Sequence, residues 1–186
     1  MGSLTKEQRS TLIGTLLGDG TLRRKTNTLL EINHSVKQRD YVFWLYLKFS
    51  EYVNTPPKLR VNGLNRTSYR FTTRSISALN EFYEKFYSIN GQKTIPKSLN
   101  LNDLSLAVWF MDDGSKSRNT VYLNTQQFGL DEQRFLVCLL AKTFNIKVTL
   151  NKDKCYFRLR VSCDSMNTFR KIVSPKLIDS MRYKLL

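Results

Sequence analysis

The strongest constraint in this sequence is a nine-residue segment that occurs twice. LIGTLLGDG (12–20) and LAVWFMDDG (106–114) are apolar runs that close on Asp and Gly, and the acids Asp19 and Asp113 stand 94 residues apart in a chain of 186. A repeat at half the chain length predicts two units built from one set of parts, an N-terminal half over 1–97 and a C-terminal half over 98–186. The parts agree in order. After each motif come a basic patch (Arg23, Arg24 and Lys25; Lys116 and Arg118), a strand candidate (29–34; 121–127) and a helical stretch (39–52; 131–144). Two more strands follow (58–61 and 69–73; 147–150 and 156–161), then a helix (76–87; 165–173) and a basic segment containing Pro.

Periodicity supports these assignments. Leu136, Leu139, Leu140 and Phe144 recur at helical spacing, as do Leu79, Phe82, Tyr83 and Phe86. In 156–161, Phe157, Leu159 and Val161 alternate with Tyr156, Arg158 and Arg160, so one face is core and the other presents two guanidinium groups. Residues 69–74 repeat the idea less strictly, with Arg70 and Arg74 on one face. Asn62 and Gly63 form the dipeptide favoured by hairpin turns. The fold class expected is α+β, with helices on one side of antiparallel sheets and a basic surface on the other.

Each motif makes a physical demand. Gly20 and Gly114 are expected to take positive φ and stop a helix. An acid there meets the negative end of the helix dipole, which is unfavourable without a cation. Gly14 and Gly18, four residues apart, allow a second helix to approach closely, and Ala107 offers something similar. If the motif helices pack together, Asp19 and Asp113 converge and repel unless cations bridge them. Hard divalent ions prefer such oxygen donors, a setting suited to phosphodiester hydrolysis. Asp112 has Gly18 as its counterpart, so Asp113 is the expected ligand of its pair.

Charge points to the partner. There are 30 Lys and Arg against 15 Asp and Glu, a balance of +15 that divides as +9 before residue 98 and +6 after it. It is spread over folded-looking sequence, as a long polyanion-binding face requires. With 41% hydrophobic residues the chain is not a disordered basic tail, and no apolar run approaches the roughly 20 residues that span a bilayer. Cys138, Cys155 and Cys163 are odd in number and lack metal-site spacing, which fits a reduced compartment. A secretory h-region is absent after Met1.

Together, LLGDG (16–20), KTIP (93–96), LAVWFMDDG (106–114), LNTQ (123–126) and MRYKL (181–185) resemble the LAGLIDADG homing endonucleases in their single-chain, two-motif form. The branch of the yeast mitochondrial large-ribosomal-RNA intron endonuclease is the nearest in resemblance, over residues 10–185. The resemblance implies two αββαββα units about a pseudo-twofold axis, with the motif helices between them and each sheet lying in a DNA major groove. It implies Mg²⁺-dependent cleavage of both strands of a long specific duplex, leaving 3′ overhangs. Mn²⁺ is expected to substitute, and Ca²⁺ to bind without supporting cleavage. Asp19 and Asp113 match the metal-binding acids, and Lys93 and Lys184 the central basic residues. The lysines follow their acids by 74 and 71 residues, a symmetry that supports the pairing. They either orient metal-associated water or stabilise the pentavalent phosphate. Gln126, taken to lie on the first strand of its half, positions water or touches DNA. The first half offers Glu31, Asn33 and His34 there instead. His34 is the sole histidine and has no Cys or carboxylate cluster near it in sequence, so a DNA contact or a packed position is expected rather than catalysis.

Base readout falls to the sheets, where Arg reads G and Asn or Gln reads A. The candidates are Asn33, Arg70, Arg74, Asn124, Gln126, Arg158 and Arg160. Arg23, Arg24, Lys25, Lys116 and Arg118, just past the acids, contact bases or backbone. Duplication supplies both half-sites, so a monomer is expected to suffice. Two rivals remain: a maturase of the same fold that binds intron RNA, and a structural RNA-binding protein, which would explain the charge but not the paired acids. The resemblance and the leaderless N-terminus fit synthesis in an organelle, mitochondrion before chloroplast.

Overall fold

A computed structural model describes residues 3–62 and 66–185. The first unit runs α1 (Lys6–Leu17), β1 (Thr21–Arg24), β2 (Thr28–Ser35), α2 (Arg39–Phe49), β3 (Lys58–Asn62), β4 (Arg66–Thr72) and α3 (Asn80–Phe86). The second runs α4 (Asp103–Asp113), β5 (Gly114–Ser117), β6 (Thr120–Leu123), α5 (Leu130–Phe144), β7 (Val148–Asp153), β8 (Tyr156–Val161) and α6 (Met166–Val173), then 3-10 turns ending at Asp179–Lys184. Both are αββαββα units. Each holds a four-stranded antiparallel sheet of the same order, β1-β2-β4-β3 and β5-β6-β8-β7.

The motif helices form the seam. A capping box of Thr5 and Gln8 starts α1, and Asn102 with Ser105 starts α4, satisfying backbone donors that a helix leaves free. Asn102 Nδ2 also donates to Ser10 Oγ at 2.7 Å, tying the two helix starts together. Leu12, Leu16 and Leu17 of α1 and Leu106 to Met111 of α4 are all buried. Burial of Thr11 and Thr15 as well shows α1 enclosed on several sides. Gly14 and Val108 face each other. A Cβ on Gly14 would come within 2.6 Å of Val108 Cβ and 2.7 Å of the Ser105 carbonyl oxygen, so Gly14 leaves the room that Val108 fills.

Several sequence expectations need correction. The basic patches past the motifs are themselves strands, β1 and β5, so the strands expected to come first are second. The strand expected over 121–127 stops at Leu123: the Asn124 amide makes the last ladder bond, to the Asp113 carbonyl, and Phe128 N then closes a turn on Thr125 O. Gln126 therefore sits in that turn, off the sheet. Arg74 lies past the end of β4 and donates to the Glu51 carbonyl at 2.8 Å. Neither Gly20 nor Gly114 has positive φ; that conformation belongs to Gly91 among the described glycines. Steric room decides the motif glycines instead, since a Cβ on Gly114 would strike Phe110 and one on Gly20 would strike Thr15. The Asn62–Gly63 turn lies outside the described residues.

Candidate active site and nucleic-acid interface

The two motif helices deliver their acids to one place in slightly different ways. Asp113 is the last residue of α4, while α1 ends at Leu17 and Asp19 stands two residues beyond it. Burial, and next the charge of Asp112, raise the pKa of Asp19, against the pull of His34, Lys93 and Lys184. Burial, then Asp19 and Asp112, push Asp113 up to about 8, with Lys184 and Asn124 opposing. Asp113 thus senses Asp19, both acids sense Asp112, and the raised values record an unmet need for positive charge.

Part of that need is met by the chain. Lys93 follows a turn in which Gly91, at φ 73°, returns the chain so that Lys93 bridges to Tyr87. Its Nζ donates to the carbonyls of Gly18 and Gly20, both at 2.8 Å. Lys184 Nζ donates to Met111 O at 2.5 Å and Asp112 O at 3.3 Å. Gly18 and Asp112 are equivalent positions, so each lysine caps the C-terminal carbonyls of its own half's motif helix. Burial lowers both lysine pKa values, and the three acids Asp19, Asp112 and Asp113 oppose it. The symmetry read from spacing therefore has a spatial counterpart.

Other residues at the centre were not anticipated. His34 is packed on the inner face of β2 with Leu30 and Ile32, which agrees with a packed position and excludes a surface contact. Its Nδ1 lies 3.7 Å from Asp19 Oδ2, and its Nε2 lies 3.1 Å from Asp112 Oδ1 without hydrogen-bond alignment. Burial disfavours the charged imidazole, but Asp112 and Asp19 more than offset it, and the pKa is raised. Gln127, not Gln126, reaches the first motif, donating to Gly18 O at 3.2 Å and Leu17 O at 3.4 Å. Gln126 donates instead to Asp153 Oδ2 at 2.9 Å. The adjacent glutamines differ by which way the turn points them, a choice that spacing does not disclose. Asn124 Nδ2 holds the Asp113 carbonyl at 2.8 Å.

The basic candidates divide between faces. Strand alternation puts Arg23, Asn33 and Arg70 on the outer face of the first sheet, opposite the buried Leu22, Ile32 and Phe71. Arg23 and Arg70 converge on Glu31 at 3.0 and 2.6 Å. Arg74 and Arg70 line one open cavity of about 350 Å³ with Lys58 and Arg60. Arg24 turns the other way, over the Tyr83 ring and beside Glu84. Lys25 is exposed past the end of β1. On the second sheet, Arg158 lies over the Tyr122 ring at 3.8 Å and reaches Asn124, while Arg160 donates to Thr120. Lys116 is in register with the buried Val121 and so leans to the helical side of its edge strand, and Arg118 sits at the turn with φ 47°.

The donor chemistry fits a divalent cation: two oxygen ligands with raised pKa values, backed by lysines that point to helix carbonyls rather than between the acids. Among the described residues no group of three or more His, Cys, Asp or Glu forms a metal cage, and a cation held by the two acids would take its other ligands from water and substrate oxygens. Also among them, no helix is long and apolar enough to cross a membrane.

The comparisons agree with this architecture. Residues 9–169 match the LAGLIDADG DNA endonuclease family. The chain is 32% identical over 196 residues to the cytochrome b mRNA maturase bI2 of Debaryomyces hansenii, covering 98% of this chain and 74% of that one. It is 30% identical to a probable intron-encoded endonuclease 1 of Wickerhamomyces canadensis, covering 99% and 86%. Among solved structures, the homing endonuclease I-WcaI bound to its DNA recognition sequence superposes with a TM-score of 0.92 at 30% identity, over 100% of this chain and 88% of that one. With its duplicated motif helices, paired acids and twin sheets, the chain belongs to the LAGLIDADG DNA endonuclease family.

Proposed function

We propose that the chain is a site-specific homing endonuclease that hydrolyses one phosphodiester in each strand of a long DNA target, leaving 3′ overhangs. The observation that carries this is the pair of acids at the seam, each with a lysine, half-buried Lys93 and buried Lys184, holding the end of its own motif helix. Superposition on a relative captured on its DNA recognition sequence supports the substrate.

Family chemistry is metal-dependent, and Mg²⁺ is the proposed ion, with Mn²⁺ as a substitute and Ca²⁺ binding without cleavage. Asp19 and Asp113 would hold it, and once bound it supplies Lewis acidity to the scissile phosphate and its attacking water. Lys93 and Lys184 fix the helix ends on which the acids stand, and their charge stabilises the extra negative charge of the pentavalent phosphate. Gln127 steadies the first motif from the opposite unit. The halves 1–97 and 98–186 each present one sheet to DNA. Arg23, Asn33, Arg70, Arg158 and Arg160 on the outer faces are proposed to contact the duplex, with Lys25 and Arg118 at turns. Both half-sites lie in one chain, so the acting species is a monomer. The named relatives favour an organelle, the mitochondrion first.

The test is incubation with duplex spanning an intronless insertion site, or target recovered by selection from a random library. Wild type is expected to make a double-strand break in Mg²⁺ and none in Ca²⁺. Asp19→Asn and Asp113→Asn should bind within a few-fold of wild type and lose double-strand cleavage. Full cleavage by either variant would overturn the assignment. A maturase is the second reading, favoured by the relative of that name; binding of intron RNA with no DNA cleavage would select it.

A further inference from the structure

The two catalytic centres are built differently behind their acids. The side chain of Asp112, at the seventh position of the second motif, crosses the seam into the first unit. Its Oδ2 accepts the backbone N–H of Asp19 at 2.5 Å, and its Oδ1 accepts the Tyr41 hydroxyl at 3.0 Å. His34 closes the group, lying between the carboxyl groups of Asp112 and Asp19. All three supporting side chains are buried: Asp112 is 3% exposed, His34 4% and Tyr41 0%. A buried polar group of this kind is costly unless its partners are fixed, so the arrangement is stiff.

Among the described residues no side chain gives Asp113 such support. The position equivalent to Asp112 in the first motif is Gly18, which has no side chain to send across. Gly18 also makes the space, since a Cβ there would strike the Asp112 carboxyl. The strand register extends the comparison. Glu31 lies opposite Thr21, and Tyr122 opposite Ser115, each partner two residues past its acid. Three residues further on, His34 corresponds to Thr125. Thr125 makes a buried hydrogen bond to Gln133 at 3.0 Å, a neutral pair where the first unit has an ionisable one. The Asp113 backbone is held instead through its carbonyl, by Asn124.

We propose that Asp112 is a positioning residue for Asp19 alone, holding that acid's backbone with Tyr41 and His34 behind it, so that the two DNA strands are cut by centres of unequal construction. This rests on the nuclease reading above. The consequence is directional. Loosening Asp112 displaces Asp19, whereas Asp113 meets Asp112 only as a neighbouring charge, and a misplaced ligand lowers the rate steeply.

The experiment uses the full-length protein, the recovered target duplex labelled separately on each strand, and ¹⁵N spectra of the free protein. In wild type the Asp19 amide should resonate downfield and exchange slowly, as expected for a hydrogen bond to a carboxylate. In Asp112→Asn, an isostere chosen to keep the packing, that resonance should move upfield. Cleavage of one strand should slow about ten-fold or more relative to the other. A supercoiled target should then accumulate as circles nicked in the same strand every time, with DNA affinity unchanged. Tyr41→Phe should shift the strand ratio in the same direction by a smaller factor. Thr125→Val, at the equivalent place in the second unit, should leave the ratio unaltered. Equal slowing of both strands, an unchanged ratio, or an Asp19 amide that ignores Asp112→Asn would overturn the proposal. A wild type that cuts no duplex would instead defeat the nuclease reading, and the amide measurement would still decide whether Asp112 holds Asp19.

Discussion

Asp113 illustrates how a single residue links function to stability. Its ordinary value of 3.8 is pushed up to about 8 by burial and by the neighbouring acids. Between about pH 4 and 8 the folded state holds a proton that the unfolded chain has released. Stability without metal therefore falls as pH rises through that window and levels off above it. His34 acts in the same sense, because its raised pKa gives stability that is full below about 6.5, the unfolded value, and fades as pH passes the folded one. The expected result is a Tm that drops between about pH 5 and 8 in chelator, with Mg²⁺ restoring more at the upper end. Asp113→Asn should flatten the decline and weaken the response to Mg²⁺. A Tm independent of pH and of Mg²⁺ in the wild type would contradict the site, and calorimetry across that range measures it.

At the scale of elements, the seam between α1 and α4 depends on missing atoms. Gly14 allows contact with Val108 and the Ser105 carbonyl, and the latter is backbone that has no rotamer with which to yield. Gly14→Ala should therefore destabilise by about 1–3 kcal/mol, as overpacking of a well-filled core does. Denaturant unfolding gives the number. Because the same seam sets the spacing of the acids, cleavage should fall by more than DNA binding does. Gly14→Ala that unfolds at the wild-type midpoint and cuts at the wild-type rate would show that the helices separate at no cost.

The whole molecule carries +15, spread over two basic sheets around an acidic centre. Binding to DNA should weaken with salt, the slope of log affinity falling by about 0.9 for each phosphate neutralised. Two arginine and lysine positions should separate the electrostatic and the specific parts. Lys25, exposed past β1, is expected at a phosphate: Lys25→Ala should weaken target and random DNA alike and reduce the slope by about one. Arg158 is held over Tyr122 and against Asn124, which orders it for a base edge. Arg158→Ala should cost about 1–3 kcal/mol on target DNA, with little change on random DNA or in the slope. Titrations at several salt concentrations distinguish the two, and identical behaviour of the variants would refute the division.

Much of this was legible in the chain. The two Asp-Gly motifs, the repeated order of parts and the alternation around Arg158 predicted a duplicated α+β chain and singled out Asp19 and Asp113, while the full αββαββα order and the roles of Lys93 and Lys184 came with the family resemblance. These signals survive in one dimension because they are periodic or duplicated, and each copy corroborates the other. What only the tertiary structure decided is where the halves meet. Asp112 looked like the spare acid of its pair because Gly18 is its counterpart, yet that same difference lets it cross the seam and hold Asp19. His34 had no partner near it in sequence; its partners come from another helix and another loop. Gln127 rather than Gln126, and Arg24 turned from the sheet, depended on the direction of one turn and the pleat of one short strand. Sequence determined the duplication, most of the elements and the candidate reacting groups, because local periodicity and repetition encode them. The supporting contacts between units were set by steric room and burial, which exist only once the two halves are packed.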